Sequence, residues 1–460
     1  MVLSSSFLVQ IKVMKKNFIL PIFLFVTFFS FGQKTENKKD SLKLPFDIAK
    51  EKRLSDEELE NKKEGFYVTG VPDLSSDPLT GFGFGAEAQL FFNGKRTDPF
   101  FPYTDTRAEI DITAFYTTKY EREFRMECEI PYIFNTKWRF HGEIGYEVNP
   151  NLLYFGVGEQ SLQPLSYFPN NDPTKPIVNN ASYNDYTNSL TGARAYYNTY
   201  QKSEAVVNLI VARSFAKGKC RVFLGFELTH ITNISPLNDS SLVHRDALAG
   251  KILGYGSDLT PLIQTGLIYD TREGEKNPSN GVFAEFTNEL SLKAFGSPFD
   301  FDKAFVHYNL YKTIFPKTFK QLIFAGRVGL GYLMGDAPFY EYSDEESSEQ
   351  TIEGLGGPQT LRGYVQDRFA SRVLGFANFE LRCRFAQCKF LKQHLVFSAA
   401  PFEDIGGVWD NLNRISQTQN LRYSEGLGLR IAWNENTVLR FDYAISKEDR
   451  QFFFTLKQAF

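Results

Sequence analysis

Glu121-Arg122-Glu123-Phe124-Arg125-Met126-Glu127-Cys128-Glu129-Ile130 is the stretch that decides the fold. Phe124, Met126, Cys128, Ile130, Tyr132 and Phe134 occupy every second position, and Glu121, Glu123, Arg125, Glu127 and Glu129 fall between them. Successive side chains of a strand point to opposite faces, so this run makes one apolar face and one charged face. The neighbouring stretches repeat the pattern. Ala108, Ile110, Ile112, Ala114 and Tyr116 alternate with Arg107, Glu109, Asp111 and Thr113, and Trp138, Phe140, Ile144, Tyr146 and Val148 stand against Arg139, His141, Glu143 and Glu147. A soluble sandwich could bury such apolar faces. Many long strands with a charged opposite face fit better a barrel whose outside meets lipid and whose inside is wet.

The composition agrees: 46 Phe and 23 Tyr against 4 Met and 3 Trp among 460 residues is rich in strand-favouring aromatics. A net charge of -3 supplies none of the basic surface that nucleic acid demands. The apolar run Phe18 to Phe31 follows Lys15-Lys16 and ends at Ser30-Phe31-Gly32-Gln33. It reads as a signal peptide over residues 1–32, with Met14 the natural start. No other stretch approaches the length of a transmembrane helix. Residues 33–65, with Asp56-Glu57-Glu58 and Lys62-Lys63-Glu64, read as a short charged periplasmic tail, disordered or loosely helical. They are too few to fold as a separate module.

Outer-membrane barrels keep short turns on the periplasmic side and long loops outside. The long connections, about 150–189, 232–258, 334–370 and 410–420, must therefore share one end. That parity requires a strand before residue 82, and Phe66 to Ser76 supplies it. Further strands are expected near 190–214, 218–231, 259–270, 281–293, 301–315, 320–333, 371–386, 393–409, 421–433, 437–446 and 450–460. The fold class is then all-β, a 16-stranded antiparallel transmembrane barrel over residues 66–460, integral to the outer membrane.

Within this topology Gly356-Gly357-Pro358-Gln359-Thr360-Leu361-Arg362-Gly363-Tyr364 lies in the sixth external loop. A connection that long without a helical pattern is more often functional than not. Three further patterns accompany it: Phe402-Glu403-Asp404-Ile405-Gly406-Gly407-Val408-Trp409-Asp410; Tyr269-Asp270-Thr271-Arg272 followed by Asn277-Pro278 and Gly281; and a C-terminal Phe460 after Phe452, Phe454 and Leu456. Together they resemble the BamA/TamA family of outer-membrane insertases and translocators. The resemblance implies a sixth loop folded into the lumen, where Leu361, Arg362, Gly363 and Tyr364 form the motif and Arg362 contacts Glu380 and Asp404. Alternation places Glu380 inward, whereas Pro401 leaves Asp404 and Glu403 as competitors. The family's periplasmic POTRA repeats find no room ahead of the barrel, so a partner subunit of a periplasmic or outer-membrane complex is expected to replace them.

The first strand carries Gly70 and Pro72, which weaken its ladder. A thin lateral seam is therefore expected between Val68, Gly70 and Pro72 on one side and Phe454, Leu456 and Phe460 on the other. No Gly-x-Ser-x-Gly elbow occurs and the five histidines share no spacing, so no catalytic group, metal or cofactor is expected. The acidic run Asp344-Glu345-Glu346, with Glu349 and Glu353, reads as a solvated outer loop, with an external divalent-cation site the alternative. Phe100-Phe101-Pro102-Tyr103 reads as part of an interfacial aromatic girdle. The four cysteines read as free, lipid-facing thiols, with a Cys383–Cys388 bridge the alternative. Two functions stay open: assembly, insertion or translocation of proteins or lipids, and a passive pore or scaffold. Outer-membrane lipids are partners in both.

Overall fold

A computed structural model of the protein describes residues 43–77, 81–172, 174–190, 196–234, 241–315, 322–349, 351–390, 393–434 and 436–460. The signal-peptide reading and the first ten residues of the tail lie outside these residues. The barrel strands are β1 (Phe66–Asp77), β2 (Gly81–Phe92), β3 (Ala108–Thr117), β4 (Arg122–Ile130), β5 (Trp138–Leu153), β6 (Thr199–Phe215), β7 (Cys220–Ile234) and β8 (Gly256–Asp270). They continue with β9 (Gly281–Ser291), β10 (Phe301–Thr313), β11 (Leu322–Gly335), β12 (Val373–Phe390), β13 (Gln393–Trp409), β14 (Arg422–Trp433), β15 (Thr437–Ile445) and β16 (Arg450–Leu456). All sixteen form one sheet in which each strand pairs with its sequence neighbours. The protein is a 16-stranded antiparallel β-barrel of the outer membrane.

The register shows why the alternation works. Ile112, Met126, Ile144, Val207 and Leu228 line up across β3 to β7 on the outer face. One step along, Asp111, Glu127, Glu143, Asn208 and Glu227 line up inside. A slip of one residue would put that row of carboxylates into lipid, so the pattern fixes the register.

Several expectations fail locally. β6 begins at Thr199 rather than 190, because Tyr183–Ser189 forms a short helix, α2, whose first turn is capped by Ser182. β4 stops at Ile130, and Tyr132 and Phe134 take left-handed angles in the turn (φ 56° and 51°). Phe100 and Phe101 are buried rather than at the membrane interface; Phe100 packs with Ile48 and Tyr132. Cys383 and Cys388 share one extended strand, which holds them apart, and all four cysteines are free. Cys128 faces outward but is buried beneath its neighbours.

Residues 44–65 of the tail cross the periplasmic mouth as a strap. Its helix α1 (Asp56–Asn61) opens with a capping box in which Ser55 and Glu58 satisfy each other's backbone N–H. Ala49 N–H donates to Lys217 O at 2.8 Å, Leu54 N–H to Pro102 O at 2.9 Å, and Lys63 Nζ to Gln393 Oε1 at 2.7 Å. These contacts touch the β6–β7 turn, the β2–β3 connection and the first residue of β13. The strap stays ordered because its buried lysines have partners: Lys52 pairs with Asp270 at 2.9 Å, and Lys62 donates to Phe101 O at 2.7 Å and lies 4.2 Å from the Phe101 ring centroid.

Burial pushes the Glu58 carboxyl up to about 7, against the Ser55 hydrogen bonds that favour its charge, and Asp105 and Glu273 push the same way as burial. Docked, the strap holds a proton between pH 4.5 and 7 that the released strap gives up. Docking therefore weakens as pH rises through that window. Amide exchange over residues 55–62 should be slower at pH 5.5 than at pH 7.5 after correction for intrinsic rates, and Glu58→Gln should flatten the difference.

Candidate functional site

Loop six, residues 336–372, turns back into the barrel. Gly356 (φ 121°) and Gly357 (φ 85°) adopt angles that disfavour any side chain, and a Cβ on Gly356 would meet Val365 O at 2.1 Å. Leu355, Leu361, Tyr364 and Phe369 of the loop pack with inward residues Phe305, Phe376 and Val408 in an apolar core inside the lumen. Apolar packing thus fixes the loop before any charge is considered.

Arg362 is fully buried at the end of this turn. Its Nε and Nη2 donate to Asp404 Oδ2 and Oδ1 at 2.8 and 2.7 Å, a bidentate fork, and its backbone N–H donates to Oδ2 at 3.1 Å. Nη1 donates to Glu380 Oε1 at 2.6 Å and to Asp442 Oδ2 at 3.2 Å. The guanidinium carbon lies 3.4 Å from the centroid of the Phe402 ring. Gly363 matters for space rather than angle: a Cβ there would come within 2.6 Å of Ser424 Cβ and 2.8 Å of the Ile445 carbonyl carbon.

The register decides between the two candidate acids of β13. The ladder passes Pro401 without a shift, and the irregularity falls at Arg384/Ala386 on the facing strand. Asp404 therefore points inward, and Glu403 is exposed on the outer face. Asp442, Arg430, Asn378 and Phe402 complete the site and were not foreseen. Arg430 pairs with Glu380 at 3.0 Å and also with Asp442, and Asn378 donates to Asp404 at 2.8 Å. The alternation of Phe441 and Tyr443 carried the signal for Asp442.

The loop is tied at both ends of the lumen. Arg368 makes a fork with Glu448 at 2.8 and 2.9 Å and donates to Gln163 O, joining three external loops. At the periplasmic end Arg272 pairs with Glu349 of loop six and with Asp270 at 3.1 Å, and Asp270 holds Lys52 of the strap. The Tyr269-Asp270-Thr271-Arg272 stretch thus links loop, wall and strap.

At the seam, Phe460 does not take the place expected of it. Phe454 pairs with Phe441 and Leu456 with Leu439, but the strand ends there. Lys457 turns the chain with φ 68°, and its Nζ reaches Asp111 and Glu127 at 3.1 and 3.3 Å. Phe460 therefore enters the lumen instead of closing the wall, its ring 4.9 Å from the Arg327 guanidinium and 5.3 Å from that of Arg382. Val68, Gly70 and Pro72 lie exposed along β1. Among the described residues no backbone ladder joins β16 to β1. Near the periplasmic end β1 reaches β15 instead, with Thr69 Oγ1 2.9 Å from Thr437 Oγ1 and Asn436 Nδ2 donating to the Tyr67 hydroxyl at 2.7 Å.

Residues 106–460 match the Omp85 superfamily domain. The chain belongs to the Omp85 superfamily. Residues 44–107 match a domain of unknown function, DUF5982, a span that contains the strap, β1, β2 and the connection to β3. Among solved structures this Omp85 barrel is similar to BamA from Haemophilus ducreyi lacking POTRA domains 1–3, with a TM-score of 0.50 and 14% identity over 86% of this chain and 70% of that one. CdiB from Escherichia coli matches with a TM-score of 0.49 and 11% identity over 85% of this chain and 61% of CdiB. No curated protein matches the sequence.

Proposed function

We propose that this Omp85 barrel takes part in the assembly, insertion or translocation of proteins or lipids at the outer membrane, with a partner subunit that presents clients at the periplasmic face. The observation that carries the reading is the seam beside the Arg362 site. A barrel in lipid normally leaves no backbone unpaired, and here the last strand gives way to a tail that runs into the lumen after Leu456. Each absent ladder bond forgoes about 0.5–1.5 kcal/mol, so this is where the wall opens at least cost. The rigid hold on Arg362 anchors loop six to β12, β13 and β15 next to that seam. A passive pore has no use for a loop and a tail inside its lumen and a strap across its mouth.

The test bridges the seam. With the native cysteines replaced, Val68→Cys is combined with Phe454→Cys or Leu456→Cys, and bridging is followed on a gel. The oxidised protein should fail to restore the outer-membrane protein and lipid content of a deletion strain, and reduction should recover it. A bridge between β3 and β4 should do no harm. Full restoration by the bridged seam would overturn the reading.

A further inference from the structure

The acidic run of loop six does not lie in outer solvent. Glu345 and Glu346 are buried in the lumen, 7% and 6% exposed. The Thr287 hydroxyl donates to Glu346 O at 2.8 Å and fixes the backbone there. Glu346 thereby meets Glu227 of β7 and Glu289 of β9, and one carboxylate oxygen from each lies within 4.8 Å of the others. Three like charges so close are not stable by themselves.

The surroundings fall short of neutralising them. Lys303 Nζ is 2.8 Å from Glu289, but it is shared with Glu341 at 2.9 Å and Asp344 at 3.3 Å. Glu227 and Glu346 have no ion-pair partner among the described residues. Gln264 donates one amide group to both Glu227 and Glu289, at 3.1 and 3.2 Å, which orients the carboxylates without cancelling charge.

A second observation points to a ligand. Asn208 of β6, 3% exposed, donates from Nδ2 to Glu346 Oε1 at 3.3 Å, while its buried Oδ1 has no partner. The two ends of an amide are interchangeable by a half-turn. Turned, that oxygen would face the carboxylates, which is unfavourable alone and favourable around a cation. A cavity of about 600 Å³ adjoins the three carboxylates and has room for coordinating water.

We propose that Glu227, Glu289 and Glu346, with Asn208, bind a hard divalent cation that clamps loop six to the β6–β9 wall. An all-oxygen set selects calcium or magnesium over softer metals. Calcium bonds of about 2.3–2.6 Å span the spread of these oxygens more easily than magnesium bonds of about 2.0–2.1 Å.

The full chain, folded in detergent and washed with chelator, is titrated with calcium chloride by calorimetry and then heated with and without calcium. One ion per chain and a higher unfolding midpoint in calcium are expected. Glu227→Gln and Glu346→Gln should each lower calcium affinity at least tenfold, yet unfold in chelator no earlier than the parent, because each removes a repulsion. Glu159→Gln, in an external loop, should match the parent. Unchanged affinity in both lumenal variants, or no binding by the parent at millimolar calcium, overturns the proposal. Anomalous diffraction from a terbium-soaked crystal of the parent gives an answer independent of how the variants fold: a peak between the three carboxylates supports the site, and a peak only elsewhere overturns it.

Discussion

Arg362→Ala should expose loop six to external protease while the barrel stays folded. The guanidinium is fully buried and bonds to three carboxylates that are themselves buried. Removing one member of such a buried set costs about 3–5 kcal/mol, because the remaining charges cannot reach water. The loss does not fall evenly. Glu380 retains Arg382 and Arg430, and Asp442 retains Arg430, whereas Asp404 loses its cation and keeps Asn378 and Ser424. Asp404→Asn in the Arg362→Ala background should therefore recover part of the stability, a coupling that a double-mutant cycle measures. Arg362→Lys should lie between, since an ammonium cannot reproduce the fork to Asp404 or stack on Phe402. The measurements are proteolysis of intact cells at residues 344–368 and the heat-modifiable shift on gels. Equal cleavage of parent and Arg362→Ala would mean that the apolar core around Leu361 and Tyr364 holds the loop without the charges.

The barrel was legible because lipid outside and water inside impose a two-residue period, and runs such as Phe124 to Ile130 carry nothing else. Parity of long and short connections then gave the strand number and the side of loop six. What the alternation does not encode is how the lumen is filled. Asp404 could not be separated from Glu403 until the ladder past Pro401 was known, since a one-residue bulge would have exchanged them. Asp442 shows the opposite case, an inward residue on a plainly alternating strand that no motif singled out. Phe460 continues the alternation of Phe452 and Phe454 in sequence, yet Lys457 breaks the strand to reach Asp111 and Glu127, acids more than three hundred positions away. The strap failed for a similar reason. Its charge reads as a disordered or loosely helical tail, and only carbonyls and a carboxylate distant in sequence make the burial of Lys52 and Lys62 tolerable. The acidic run at Asp344 misled likewise, because charge in a loop signals solvent unless the loop is known to turn inward.

The second large effect concerns ion flow. A sixteen-stranded wall encloses space enough for an aqueous channel, but here loop six and the C-terminal tail occupy the lumen and the strap crosses its periplasmic mouth. Obstructions in series act as resistances in series, so the narrower one sets the current. Deleting residues 340–368, with Asp404→Asn to avoid an unpaired buried charge, should raise conductance in planar bilayers only modestly, because the strap and its Lys52 to Asp270 pair remain. Deleting residues 44–63 should also have a modest effect, because Glu349 and the loop-six core still fill the interior. Asp270 keeps Arg272 and Arg221 in that variant, so the β8–β9 turn should hold. Both deletions together should give a steady conductance at least tenfold above either alone. Simple addition of two small increments would show that loop and strap do not lie on one path. A large, steady current from the intact protein would mean that neither blocks the lumen in a bilayer, and would return the passive pore to first place.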